Sequence, residues 1–261
     1  MDELLRAGVS KKGLIPSAPL PRMRAAFFPM KPSLTIDAAK KTTREFNLEL
    51  KAAAEKGADV RVLHPQGRHN LGVCILKPCR ITFEGSVGYY CASMLNGPEV
   101  LVKGNAGWGF GEHLMGGSVR LTKNASLAVG ASIKGGEVVV EGNAGARAGI
   151  SMKGGLLVVG GHSGFMTGFI AQLGRIIVCG DCDDACGDSM YESLIYVGGK
   201  VASVGTDAKI LDVTGEEKKW LGETLDRLKI KTRNGTSWKK VESMKTLYQF
   251  DKLKLKDRHV I

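Results

Sequence analysis

The chain has 261 residues, 43% of them apolar, with 35 glycines, 6% aromatic residues and a formal net charge of +11. That is enough to bury one or two cores. No run of about 18 apolar residues and no charged-then-apolar leader occurs, which excludes a membrane-spanning or exported class and points to a cytoplasmic protein whose six cysteines are reduced thiols. The excess charge sits at the ends: residues 1–60 carry +4 and 209–261 carry +6, whereas 61–208 carry only +1. With no aromatic interleaving or Arg-rich cluster, solvated arms, or arms docking an acidic partner, outweigh a nucleic-acid reading.

In chain order, the first 35 residues hold several prolines and little periodicity, which predicts an extended arm wrapping a neighbour. Thr42-x-x-Glu45 is a capping box, and it opens a helix with Phe46, Leu50 and Ala53 on one face and Gly57 as its stop. From Gln66 onward a period dominates. Gly85, Gly104, Lys123, Gly142, Gly161, Gly180 and Gly199 open segments 19 residues apart, preceded by a degenerate unit from Gln66 whose strand is Ile81-Thr82-Phe83. The glycines of "GNAGARAG" are followed by a short β-branched run rather than a helix, so they are one tooth of this period and not a phosphate-binding loop. Beyond it, Glu216 to Leu228 carries Leu221, Leu225 and Leu228 at helical spacing. The two helices either cap the ends of the repeat or cover part of an apolar face.

Counting each opening residue as offset 0, a second glycine recurs at offset 7 (Gly111, Gly130, Gly149, Gly168, Gly187) and strands at offsets 15 to 17, such as Val138-Val139-Val140. Glycine corners joined by short stacked strands predict an all-β parallel solenoid of about seven coils, roughly 34 Å long at about 4.8 Å per coil. Small residues at offset 2 and aliphatics at offsets 10, 15 and 17 point inward. Alternation then turns offset 16 outward, where Leu101, Val139, Val158, Ile177 and Tyr196 stand beside Arg120, and offset 4 as well, with Tyr89, Trp108, Leu127 and Phe165. Stripes this apolar are seldom left in water, so both are candidate interfaces, covered by a partner subunit or by the chain's own arms.

Of the candidate chemistry, Cys179, Cys182 and Cys186 form a C-x2-C-x3-C run with the spacing of metal ligands. The register opposes it: Cys182 and Cys186 fall in inward columns, whereas Cys179 shares offset 18 with outward Lys103, Thr122 and Glu141. Asp181, Asp183, Asp184 and Asp188 lack the ligand order of a calcium loop and read as a polar corner. His64, His69, His113, His162 and His259 fall at different offsets, and His162 takes the offset-1 place of Asn105, Asn124, Asn143 and Asp181, a column suited to turn hydrogen bonds. No catalytic residues are assigned.

The repeat "GNAG…G…MKGG…VVVEGNAG" resembles the GXGXG family, the β-helix at the C-terminus of the glutamate synthase large chain. "GYYCASM" at 88–94, "GISMKGG" at 149–155, "AQLGRIIVCGD" at 171–181 and "GDSMYESLIYVGGKVASVGTDA" at 187–208 are similar to the free-standing β-helix subunits of N-methylglutamate synthase and split glutamate synthases. Cysteine at 182 and 186 departs from the family pattern, which leaves a local metal or redox role open. The resemblance implies a right-handed β-helix over 63–210, with 1–35 as N-terminal arm, 36–62 as capping-helix region and 211–261 as C-terminal helix and basic tail. It also implies a non-catalytic subunit without cofactor, in a hetero-oligomer with a glutamine amidotransferase-like subunit and an FMN-binding synthase subunit carrying an iron–sulfur cluster, for nitrogen transfer from ammonia or methylamine. The alternatives are a scaffold subunit of a formylmethanofuran dehydrogenase-like complex, towards which a weaker similarity runs, and a metal protein using 179–188.

Overall fold

The computed structural model describes residues 32–232 and 236–244. β1 (Leu34–Asp37) leads through a 3-10 turn into α1 (Thr43–Glu55) and β2 (Asp59–Leu63). The repeat supplies β3 (Arg80–Phe83), β4 (Asn96–Val102), β5 (Gly116–Leu121), β6 (Glu137–Val140), β7 (Lys153–Val159), β8 (Leu173–Val178) and β9 (Leu194–Val197). β10 (Ala208–Asp212), α2 (Gly215–Leu228) and β11 (Lys239–Ser243) complete the described residues. Among the described residues, the eleven strands form one sheet in the order β1 to β9, then β11, then β10, and only the pairings of β11 are antiparallel.

The fold is a parallel β-solenoid in the expected register. Leu101, Arg120, Val139, Val158, Ile177 and Tyr196 stand opposite one another in successive strands. A second wall is a ladder of single bridges from Val87 through Ala106, Ala125, Ala144, Ser163 and Cys182 to Val201. Between the walls lies one continuous core in which Leu95, Leu114, Ile133, Met152, Ala171 and Met190 are all fully buried.

The turn at offset 7 shows how packing selects glycine. Gly149 has φ of 71°, and a Cβ there would lie 2.5 Å from Ile176 Cδ1 of the next coil. At the same offset of the first coil Ala92 adopts φ of 56°, and the residue in the place of Ile176 is the shorter Val119. The left-handed turn is thus tolerable to alanine where valine faces it, and glycine is required where an isoleucine δ-carbon does, as at Gly149 and Gly168.

The offset-1 column makes hydrogen bonds between coils rather than within turns. The backbone N–H of Asn124 donates to Asn105 Oδ1 (3.1 Å), that of Asn143 to Asn124 Oδ1 (2.8 Å), and that of His162 to Asn143 Oδ1 (2.8 Å). Asp181 N–H continues the ladder to His162 Nδ1 (3.0 Å), and Lys200 N–H to Asp181 Oδ1 (2.8 Å). Each rung satisfies an amide that the corner would otherwise leave unpaired.

Both flanks extend the column. α1 begins at the capping box read from Thr42 and Glu45. Its buried face seals the N-terminal mouth, with Phe46 6.3 Å from Phe83 by ring centroids and Asn47 pinned to the backbone of Asn70 and Gly72. β1, β2 and β11 are absent from the sequence reading: each is short, and only pairing with an existing sheet edge makes it a strand. The arm expected over 1–35 lies outside the described residues except at its last positions, where Leu34 opens β1. The basic tail after residue 244 is outside them too.

Candidate functional site

The outer surface of the column carries two apolar stripes, and the structure treats them differently. Val139, Val158, Ile177 and Tyr196 are buried beneath α2 in a cluster with Leu156, Leu194, Val213, Leu221, Leu225, Leu228 and Ile230. These four residues were candidate interfaces open either to a partner or to an arm. α2 covers them. Leu101, two coils beyond Val139 with Arg120 between, is half-buried and outside that cluster.

The geometry of α2 explains the match. Fourteen helical residues span about 21 Å, close to the ~19 Å between β9 and β5, four strand intervals apart. The helix therefore runs back down the column and is fastened at both ends. Near its start, Glu217 accepts from Lys240 Nζ (2.9 Å) and the Tyr196 hydroxyl (3.1 Å). Burial alone raises this carboxyl, but those two donors together with the Thr214 cap outweigh it and hold it below its ordinary value. Burial, and then the Glu217 charge, push the Tyr196 phenol up. At the far end Arg227 makes a bidentate pair with fully buried Glu137 (2.5 and 3.0 Å). Arg120 there donates to the Leu228 carbonyl (2.8 Å) and pairs with Glu141 (2.6 Å), placing a cation on the negative end of the helix dipole.

The offset-4 stripe remains open. Tyr89, Trp108 and Phe165 are each more than 40% exposed, and Leu127 is half-buried. Stacking at the coil repeat joins the first two to His69: His69 lies 4.3 Å from Tyr89 by ring centroids with the planes 18° apart, and Tyr89 lies 5.7 Å from Trp108 with the planes 26° apart. His69 Nδ1 also accepts the Tyr89 backbone N–H at 2.8 Å, which fixes its ring. Tyr90, Met94 and Met115 add exposed apolar surface on the same coils. The result is an exposed aromatic stack on the first coils, with Phe165 three coils further along the same stripe, the composition that anchors protein interfaces. Sequence reasoning found Tyr89, Trp108, Leu127 and Phe165 but not the part of His69, which sits at offset 3, one residue before the stripe's own place in its unit.

The thiols fall as the register required. Cys182 and Cys186 are buried inside the coil, whereas Cys179 lies outside the wall, beneath α2. Burial pushes the Cys179 thiol up to about 12. The three cannot converge on one ion, and among the described residues no cluster of three His, Cys, Asp or Glu side chains is arranged to hold a metal. The aspartates are engaged locally: Asp183 Oδ1 accepts from Asp184 N–H, and Asp184 Oδ1 accepts from the Ser203 hydroxyl. One histidine pairing escaped the sequence reading. His64 Nδ1 lies 3.0 Å from Asp37 Oδ1 across the β1–β2 edge, and this contact leads the effects that lower the Asp37 carboxyl. No helix among the described residues is long and apolar enough to cross a membrane.

No protein-family model matches the chain. It is 44% identical over 218 residues to protein GlxC of Rhizobium meliloti (strain 1021), an alignment covering 83% of this chain and 96% of that protein.

Proposed function

Since the chain belongs to the family of protein GlxC, we propose that it is a non-catalytic structural subunit of a glutamate-synthase-type complex. In this reading the column holds a glutamine amidotransferase-like subunit and an FMN-binding, iron–sulfur synthase subunit in register, so that nitrogen from ammonia or methylamine reaches the site where glutamate or N-methylglutamate forms. The cofactors belong to those partners. The motif resemblance suggests the class of complex, and one observation carries the subunit role: the rigid, open aromatic face of Tyr89, Trp108 and Phe165, left exposed after the chain's own helix has covered the other stripe. A face of this kind on an otherwise finished fold is suited to permanent assembly.

The test is a double variant, Trp108→Glu with Phe165→Glu. Both side chains are over 40% exposed, so circular dichroism and melting should stay near wild type while pull-down of the flavin-containing synthase subunit fails. Survival of both assembly and glutamine-dependent turnover would remove this face as the docking surface.

A further inference from the structure

Two adjacent coils of the column carry a pair of polar or thiol side chains inside. At offsets 2 and 6, where other coils place pairs such as Ala125 and Val129 or Ala144 and Ala148, these two place Ser163 with Thr167 and Cys182 with Cys186. The first pair measures the geometry of the second. Ser163 Oγ and Thr167 Oγ1 are 2.5 Å apart, so side chains at these two offsets converge on one point inside the coil. Ser163 is bridged to Cys182 in the next coil, so the Cys182 and Cys186 thiols take the same two converging positions, and each leads the effects on the other's titration. Two thiols held in mutual contact, with only three residues between them, are arranged for a bond.

We propose that Cys182 and Cys186 are a site of reversible disulfide formation, with a small hydroperoxide as the oxidant. The roles of the two sulfurs differ. The hydrogen bond from Cys186, and then that from Thr167, lower the Cys182 thiol against the opposing effect of burial. Cys186, the donor of the first bond, is raised. Cys182 is therefore the attacking thiolate. Its sulfur takes one oxygen of hydrogen peroxide as the O–O bond breaks, and the departing hydroxide leaves as water with the proton Cys182 gave up. Cys186 then attacks the sulfenic sulfur: the S–S bond forms, the S–O bond breaks, and the second hydroxide leaves as water with the Cys186 proton. Two thiols are oxidised to one disulfide, and one peroxide is reduced to two waters.

Access comes from the end of the column. Cys182 and Cys186 are bridged to Val201 and Val204 of the last coil, and both valines are only half-buried. Opening of that coil alone admits a molecule the size of peroxide. Four other thiols serve as internal controls. Cys74 is exposed, Cys79 and Cys91 are buried without a second cysteine in their coil interior, and Cys179 is outside the wall.

The purified full-length chain is treated with hydrogen peroxide, denatured in iodoacetamide without reductant and digested with trypsin. The peptide spanning residues 176–200 contains Cys179, Cys182 and Cys186. The expected product lacks two hydrogens and carries a single alkyl group, placed on Cys179 by fragmentation. Dithiothreitol before alkylation restores three alkyl groups. Cys182→Ser reproduces the residue of the preceding coil, and in it Cys186 should be alkylated in full. Three alkyl groups after peroxide treatment of the wild type, an alkyl group on Cys182 or Cys186 in the peptide that lost two hydrogens, or sulfinic acid at Cys182 would each overturn the proposal. The wild-type digestion decides the matter even if the serine variant fails to fold.

Discussion

Val139 and Val140 are neighbours in β6, and both are fully buried, yet they sit on opposite sides of the coil wall. Val140 belongs to the interior cluster and Val139 to the cluster beneath α2. Placing aspartate at each separates the two layers. At 140 the carboxylate has no route to water, because coils above and below close the interior. An unpaired charge there costs about 4 kcal/mol or more, or is protonated at comparable expense, against a total stability of about 5–15 kcal/mol for a domain. Val140→Asp should therefore lose its cooperative melt or fail to accumulate in soluble form. At 139 the charge can reach water if α2 lifts away. The penalty is then capped by the docking free energy of one amphipathic helix, about 2–4 kcal/mol once the chain entropy regained on release is set against three exposed leucines. Trp220 reports that release, since its ring packs on Tyr196 and under the Arg175 guanidinium. Val139→Asp should show a red-shifted tryptophan emission with the far-ultraviolet β-sheet signature retained. Equal loss of the sheet signature in both variants would refute a two-sided wall, and a normal melt for Val140→Asp would refute the register.

Gly149→Ala should destabilise by about 1–3 kcal/mol from its left-handed backbone and the clash with Ile176; adding Ile176→Val should recover part of that loss in urea titrations, and no recovery would mean the facing side chain does not select the glycine. Asn143→Ala removes the acceptor of the His162 amide and should cost about 1 kcal/mol or less on this exposed corner, with faster hydrogen exchange at that amide as the specific sign. The Glu217 carboxyl is lower in the folded chain than its ordinary 4.5, so its contribution to docking α2 is complete above that value and disappears as pH falls through the folded one. Acid should release Trp220 before the column unfolds, and Glu217→Gln should remove this acid dependence while weakening the helix at all pH values.

Much of the column was legible in the sequence because a solenoid repeats one solution. Every coil faces the same neighbours, so Val138, Leu157, Ile176 and Ile195 recur at one offset, and their alternation with Val139, Val158, Ile177 and Tyr196 states which side each residue takes. The same columns marked the apolar outer stripes and divided Cys179 from Cys182 and Cys186. The capping box at Thr42 placed the start of α1, since that signal lies within four residues and depends on nothing distant; the matching box at Thr214 and Glu217, which opens α2, escaped the sequence reading. The tertiary structure alone decided what covers each stripe. Two outward columns of similar composition are equivalent to any periodic reading. One is buried because α2 leaves β10 at a point from which it runs back across four strand intervals, with Arg227 reaching Glu137 ninety residues away in sequence; the other is exposed because no described segment returns to it. Likewise β1, β2 and β11 are strands only because a twisted, growing sheet presents an unpaired edge to them. Local sequence specifies hydrogen bonds within a coil and its copies, whereas docking of the flanks depends on where the chain emerges, a property of the assembled column and of no single repeat.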